Sequence, residues 1–149
     1  MTAPGLRSLI GAALLAGLIA GCASTAEQAG AGPKPWAGGT AITSNDGAWK
    51  IVYKVENGPV KRGETFTIDA WVFGPDAPET PRADVSLAVD AAMPQHGHGM
   101  NRVPHTEGPK AGRFRIDGLL FHMPGKWELY FDVARGALVE RAQADVEVE

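Results

Sequence analysis

The chain has 149 residues and a formal net charge of −3, from 14 Lys and Arg against 17 Asp and Glu. That mildly acidic balance excludes a nucleic-acid surface, which wants a clustered basic patch. A single cysteine excludes an internal disulfide, and the length allows one small domain with one core.

At the N-terminus Arg7 supplies a short positive region, and residues 9–19 form an apolar run too short to span a bilayer stably. Leu18-Ile19-Ala20-Gly21-Cys22 follows and is similar to the lipobox of bacterial lipoproteins. The resemblance implies that residues 1–21 are a lipoprotein signal peptide and that Cys22 is the lipidated residue, anchoring the protein to a membrane of the cell envelope. Removing 21 of 149 residues leaves 128, takes away Arg7 and moves the charge from −3 to −4. No thiol would remain, so a blue-copper-type His/Cys site is excluded as well. Ala23-Ser24 follows Cys22 without an aspartate, which points to an outer membrane and a periplasm-facing protein. Residues 23–45 are Ala, Gly, Ser, Thr and Pro with few large apolar side chains beyond Trp36 and Ile42, so 22–45 reads as the lipidated cysteine and a flexible tether. Residues 46–149 are left as the folded domain.

Within that domain the apolar period is two. Trp49, Ile51, Tyr53 and Val55 alternate with Lys50, Val52 and Lys54 until Asn57-Gly58-Pro59. Phe66, Ile68, Ala70 and Val72 repeat the pattern before Gly74-Pro75, and Val85, Leu87, Val89, Ala91 and Met93 do so before Pro94. Phe114 and Ile116 lead through Leu119 and Phe121 to a strand closing on His122 and Met123. Trp127, Leu129, Phe131 and Val133 form the fifth run, and Ala142, Ala144, Val146 and Val148 the sixth. Six half-buried strands between Gly/Pro turns, with no helical stretch, predict an all-β antiparallel sandwich. A seventh strand within 77–83 or 139–141 would complete it.

Chemistry concentrates in one place. Residues 93–100 read Met-Pro-Gln-His-Gly-His-Gly-Met, and Phe121-His122-Met123 supplies a second His and Met. If the first segment runs extended, His96, His98 and Met100 share one side with only glycines between them. Imidazole suits Cu(II), Zn and Ni, whereas thioether favours Cu(I), so a mixed His/Met set leans toward copper. The stretch 95–112 is long for a hairpin connection, and a crossing between sheets would bring His122 to the same end as His96 and His98. His105 lies between the two motifs and is a weaker candidate. The alternative is a glycine-rich turn whose imidazoles cap backbone carbonyls while the thioethers fill the core. Adjacent strand positions point to opposite faces, which favours that core role for Met123.

Asp-Ala-Ala-Met-Pro-Gln-His-Gly-His-Gly-Met-Asn at 90–101, with Gly-Arg-Phe-Arg-Ile-Asp-Gly-Leu-Leu-Phe-His-Met-Pro-Gly-Lys-Trp at 112–127, resembles the YtkA-like domain of bacterial lipoproteins and secreted proteins. The resemblance covers about residues 49–149. It implies an immunoglobulin-like sandwich, similar in outline to CopC-type and FixH-type envelope proteins, and copper handling by association. Carried over residue by residue, it implies Met93, His96, His98, Met100, His122 and Met123 as the metal-site residues. The resulting expectation is a membrane-anchored, non-enzymatic copper carrier or scavenger, since no nucleophile and base stand in a supporting motif. The competing expectation is an assembly module that docks another envelope protein, with the His-Gly-His-Gly loop structural; Trp71 and Phe73 would suit such a contact, but covering the second face of their sheet is the favoured reading of the two rings.

Overall fold

Alternation of apolar and polar residues commits a chain to strands, because only a strand turns every second side chain to one face. The structure is a computed structural model and describes residues 33–149, so the expected signal peptide, Cys22 and the first part of the expected tether lie outside the described residues. Nine strands form among those residues: β1 (Thr40–Thr43), β2 (Lys50–Val55), β3 (Thr65–Phe73), β4 (Ser86–Met93), β5 (His98–Gly99), β6 (His105–Lys110), β7 (Arg113–Leu120), β8 (Gly125–Arg135) and β9 (Leu138–Val148). They make two antiparallel sheets, ordered β1-β2-β3-β7-β6 and β5-β4-β8-β9. With β1 set aside as an added edge, these orders are the A-B-E-D and C′-C-F-G sheets of an immunoglobulin-like sandwich.

All six predicted runs are strands, and their inward positions make the core: Ile51, Ile68, Val89, Met93, Phe114, Ile116, Trp127 and Phe131 are among its members. The further strands lie elsewhere than expected. The stretch 77–83 holds none, 139–141 belongs to β9, and the added strands are β1, β5 and β6. Both β5 and β6 fall inside the 95–112 stretch. β6 has the sequence His-Thr-Glu-Gly-Pro-Lys, mostly exposed, so an edge position rather than an apolar pattern gives it its conformation.

The domain also begins earlier than residue 46. β1 pairs with β2 from Thr40↔Tyr53 to Thr43↔Lys50. Ser44 is buried and donates to Glu140 Oε2 at 2.7 Å, and its hydroxyl accepts the Trp49 N–H at 2.9 Å. These bonds fasten the β1–β2 turn to β9. Trp36 packs edge-on to Phe73 at 5.3 Å between ring centroids and lies 6.3 Å from Trp71. Trp71 and Phe73 are therefore only 3% and 2% exposed. The two rings thus cover the second face of their sheet, as favoured above, and are not an open contact surface, because Trp36 packs over them. Small and polar composition made 33–45 look like tether; one aromatic side chain and one short strand are enough to fix it to the sheet.

Candidate metal site

The antiparallel pairing of β4 with β8 decides which loops meet. Ala92 opposite Glu128 sets the end of β4 against the start of β8. The segment leaving β4 and the segment entering β8 therefore share one end of the sandwich, and these segments carry His96, His98 and His122. The chain turns after Met93 through a single 3-10 turn, Pro94–His96. Gly97 then takes φ +68, and its N–H donates to the carbonyls of Met93 and Pro94, both at 3.1 Å. A side chain there would be strained, so glycine permits the reversal. Gly99 follows on β5, where an added Cβ would stand 3.2 Å from the Ala91 carbonyl oxygen. The Gln95 amide Nε2 donates to the Lys126 carbonyl at 2.6 Å and fastens the turn to β8.

The expected extended run 96–100 is therefore only half present. His96 sits on the turn and is exposed, whereas His98 lies on β5 opposite Met93. Residues directly opposite in an antiparallel pair project to the same face. Met93 is fully buried, so His98 is aimed at the core end, and Met100 two residues on packs against the core. Leu120 ends β7, so Phe121, His122 and Met123 lie beyond the strand and not in it as expected. Phe121 stacks on Trp127, 4.6 Å between centroids at 9°.

His98 and His122 meet over that floor. Their ring centroids are 5.6 Å apart, and each stands edge-on to Trp127, at 6.3 Å and 79° for His98 and 5.4 Å and 73° for His122. His96 extends the row, 5.9 Å from His98. His98 Nε2 and His122 Nδ1 are shielded from solvent and have no hydrogen-bond partner among the described residues. An unpaired buried polar atom costs about 1–3 kcal/mol, so two in contact rings are conspicuous. Two imidazoles sharing one ion through bonds of about 2.0 Å have centroids roughly 5–6 Å apart, which the observed pair fits. Among the described residues no three His, Cys, Asp or Glu side chains group as a metal site. The site is thus a pair of imidazoles with a third imidazole beside it.

The remaining candidates divide clearly. The Met100 sulfur accepts the Leu120 N–H at 3.5 Å, at the edge of the core. Met93 lies inside the core, its methyl close enough to Gly125 that an added Cβ would stand 3.1 Å away. Met123 packs against the core, and its carbonyl accepts the Trp127 indole N–H at 3.0 Å. His105 is exposed on β6 with Nε2 3.8 Å from Glu107, and it makes no ring contact with the other three. Lys126, at the start of β8, pairs with Asp145 at 2.8 Å, and that bond holds its ammonium above the ordinary lysine value. Sequence reasoning missed Trp127 and Phe121 as the floor of the site. A signal was present: Phe121-His122 and Trp127 bracket a Pro-Gly turn, which places both rings beside one imidazole. Comparison with protein-family models, curated proteins and solved structures gives no match for this chain.

Proposed function

We propose that this protein is a lipid-anchored, non-enzymatic metal-binding module of the bacterial envelope that takes up copper between His98 and His122. The observation that carries the reading is the pair of solvent-shielded, unpartnered nitrogens on rings 5.6 Å apart. A bound ion would supply the missing partner for both. His96 is the nearest further imidazole and, being exposed, can rotate toward the pair without disturbing the core. Met100 offers a soft donor if its sulfur releases the Leu120 N–H. Structural zinc takes four ligands, more than this set holds close together, whereas thioether beside imidazole selects Cu(I). Met93 and Met123 fill the core under this reading and do not bind the ion. Cys22 in its lipobox-like context supports the anchor, and the paired motifs at 90–101 and 112–127 support the YtkA-like assignment.

Titration calorimetry of the tag-free protein with Cu(I) and Cu(II) tests the site. The wild type is expected to bind Cu(I) more tightly than about 10 μM, near −7 kcal/mol, and the His98→Ala/His122→Ala variant to lose about 100-fold or more. Equal affinity in the two proteins would overturn the assignment. Because metal binding requires neutral imidazole, affinity is also expected to fall on acidification.

A further inference from the structure

Every open sheet has edges, and this sandwich treats one of them differently. β1 is four residues long. β6 carries Pro109 and a register break between Glu107 and Lys110. β9 alternates Glu140, Arg141, Asp145 and Glu147 among its positions, and the Asn45 N–H already occupies the Arg141 carbonyl at 2.8 Å. Shortness, proline, irregularity and charge are the usual devices against strand addition. β4 has the sequence Ser-Leu-Ala-Val-Asp-Ala-Ala-Met, without proline, bulge or lysine and with Asp90 as its one charge, and β5 covers it only at Ala92 and Met93.

Main-chain polarity along β4 follows from two bonds. The Ala91 carbonyl accepts the Met100 N–H at 3.1 Å, and the Ala91 N–H donates to Asp90 Oδ1 at 2.8 Å. Ala91 therefore turns its amide groups away from β8, and by the two-residue period Val89 and Leu87 do the same. No turn or loop bond among the described residues reaches those two. A cleft of about 490 Å³ runs along the same stretch of β4, walled by Met100, Val103 and Pro104. Val103 is 94% exposed, an apolar side chain with nothing upon it. Of the charged residues lining the cleft, Arg102 makes no ion pair among the described residues, whereas Asp132 is answered by both Arg141 bonds at 2.7 Å and Asp90, itself without an ion pair, accepts the Ala91 N–H.

We infer that the open edge of β4 at Leu87 and Val89 receives an extended polypeptide segment of a partner protein. Alternating donors and acceptors at strand spacing are complementary to another extended main chain, and the apolar wall takes its alternate side chains. The free guanidinium of Arg102 specifies a carboxylate on the incoming segment. The inference is independent of copper binding.

Amide hydrogen exchange of the full chain, read residue by residue by NMR, tests it with a millimolar capped heptapeptide of alternating valine and threonine bearing a central glutamate. Exchange at Leu87 and Val89 is expected to slow about tenfold with peptide, and exchange at Ala91 to stay unchanged. Arg102→Glu, an exposed change with little consequence for folding, should weaken the peptide up to about fivefold, as for a surface ion pair. A lysine in place of the peptide's glutamate should weaken it in the wild type similarly. The inference is overturned if the two amides are already as protected as Ala92 in the free protein, or if peptide leaves them unchanged. It is likewise overturned if protection grows with protein concentration alone, which would assign the edge to a second copy. A lysine peptide that binds equally well would remove the charge requirement.

Discussion

Two aromatic surfaces of this sandwich are covered in contrasting ways. On the outer face of the first sheet, Trp36 closes over Trp71 and Phe73, an apolar cover on an apolar base. At the end of the core, Trp127, stacked on Phe121, is covered by His98 and His122, and the polar atoms of that cover include two with no partner among the described residues. Apolar burial explains the first completely. It does not explain the second, since leucine would shield Trp127 as well as imidazole without the desolvation cost. A cover that is worse for stability than its obvious alternative points to a use other than stability.

The largest effect expected is at the base of the second surface. Trp127 is fully buried and stacked on Phe121, so Trp127→Ala should cost about 3–5 kcal/mol in denaturant unfolding. Trp36 is only partly buried and caps its sheet from outside. Trp36→Ala should cost less, about 1–2 kcal/mol, below the range of a fully buried aromatic. Equal costs would show that the two surfaces are not of different kinds.

The imidazole cover gives a sharper test, because stability and binding should move in opposite directions. His98→Leu or His122→Leu removes one unpartnered nitrogen, so the metal-free protein should gain up to about 1 kcal/mol, a few degrees in Tm. The same variants should lose the rise in Tm that copper is expected to give the wild type by mass action. A loss of metal-free stability in both variants would mean that the imidazoles already meet partners, such as ordered waters, and are structural.

Much of this fold was legible because a sandwich core is written as period-two alternation, and all six apolar runs became strands. β5 and β6 were not legible, for β5 has two residues and β6 follows its neighbour β7 rather than any apolar pattern of its own. β1 was hidden by composition: Thr-Ala-Ile-Thr after a glycine-rich stretch carries little apolar weight, and its place depends on pairing to β2 and on the buried Ser44–Glu140 bond. At the candidate site the residue types pointed to two segments that the fold brings to one end of the sandwich. The local conformation did not follow, because the left-handed Gly97 separates His96 from the strand that His98 joins. The convergence of His98 with His122 depends on the β4–β8 register, a long-range property that spacing along the chain does not contain.

The smallest effects separate the methionines. Met123 and Met100 both lie against the core, but only Met100 has its sulfur engaged by a main-chain N–H. Leucine for methionine nearly conserves volume, so each substitution should change stability by less than about 1.5 kcal/mol. Met123→Leu should leave copper affinity unchanged, since its carbonyl, and not its sulfur, makes the bond to Trp127. Met100→Leu removes a thioether and should weaken Cu(I) more than Cu(II), by a factor that paired titrations of the two states resolve. His105→Ala supplies the baseline: an exposed side chain 3.8 Å from Glu107 should register within about 0.5 kcal/mol and leave copper binding untouched. If Met100→Leu cannot be told from that baseline in the Cu(I) titration, the site is built from imidazoles alone. The preference for Cu(I) would then rest on the low ligand number of the His98–His122 pair and not on sulfur.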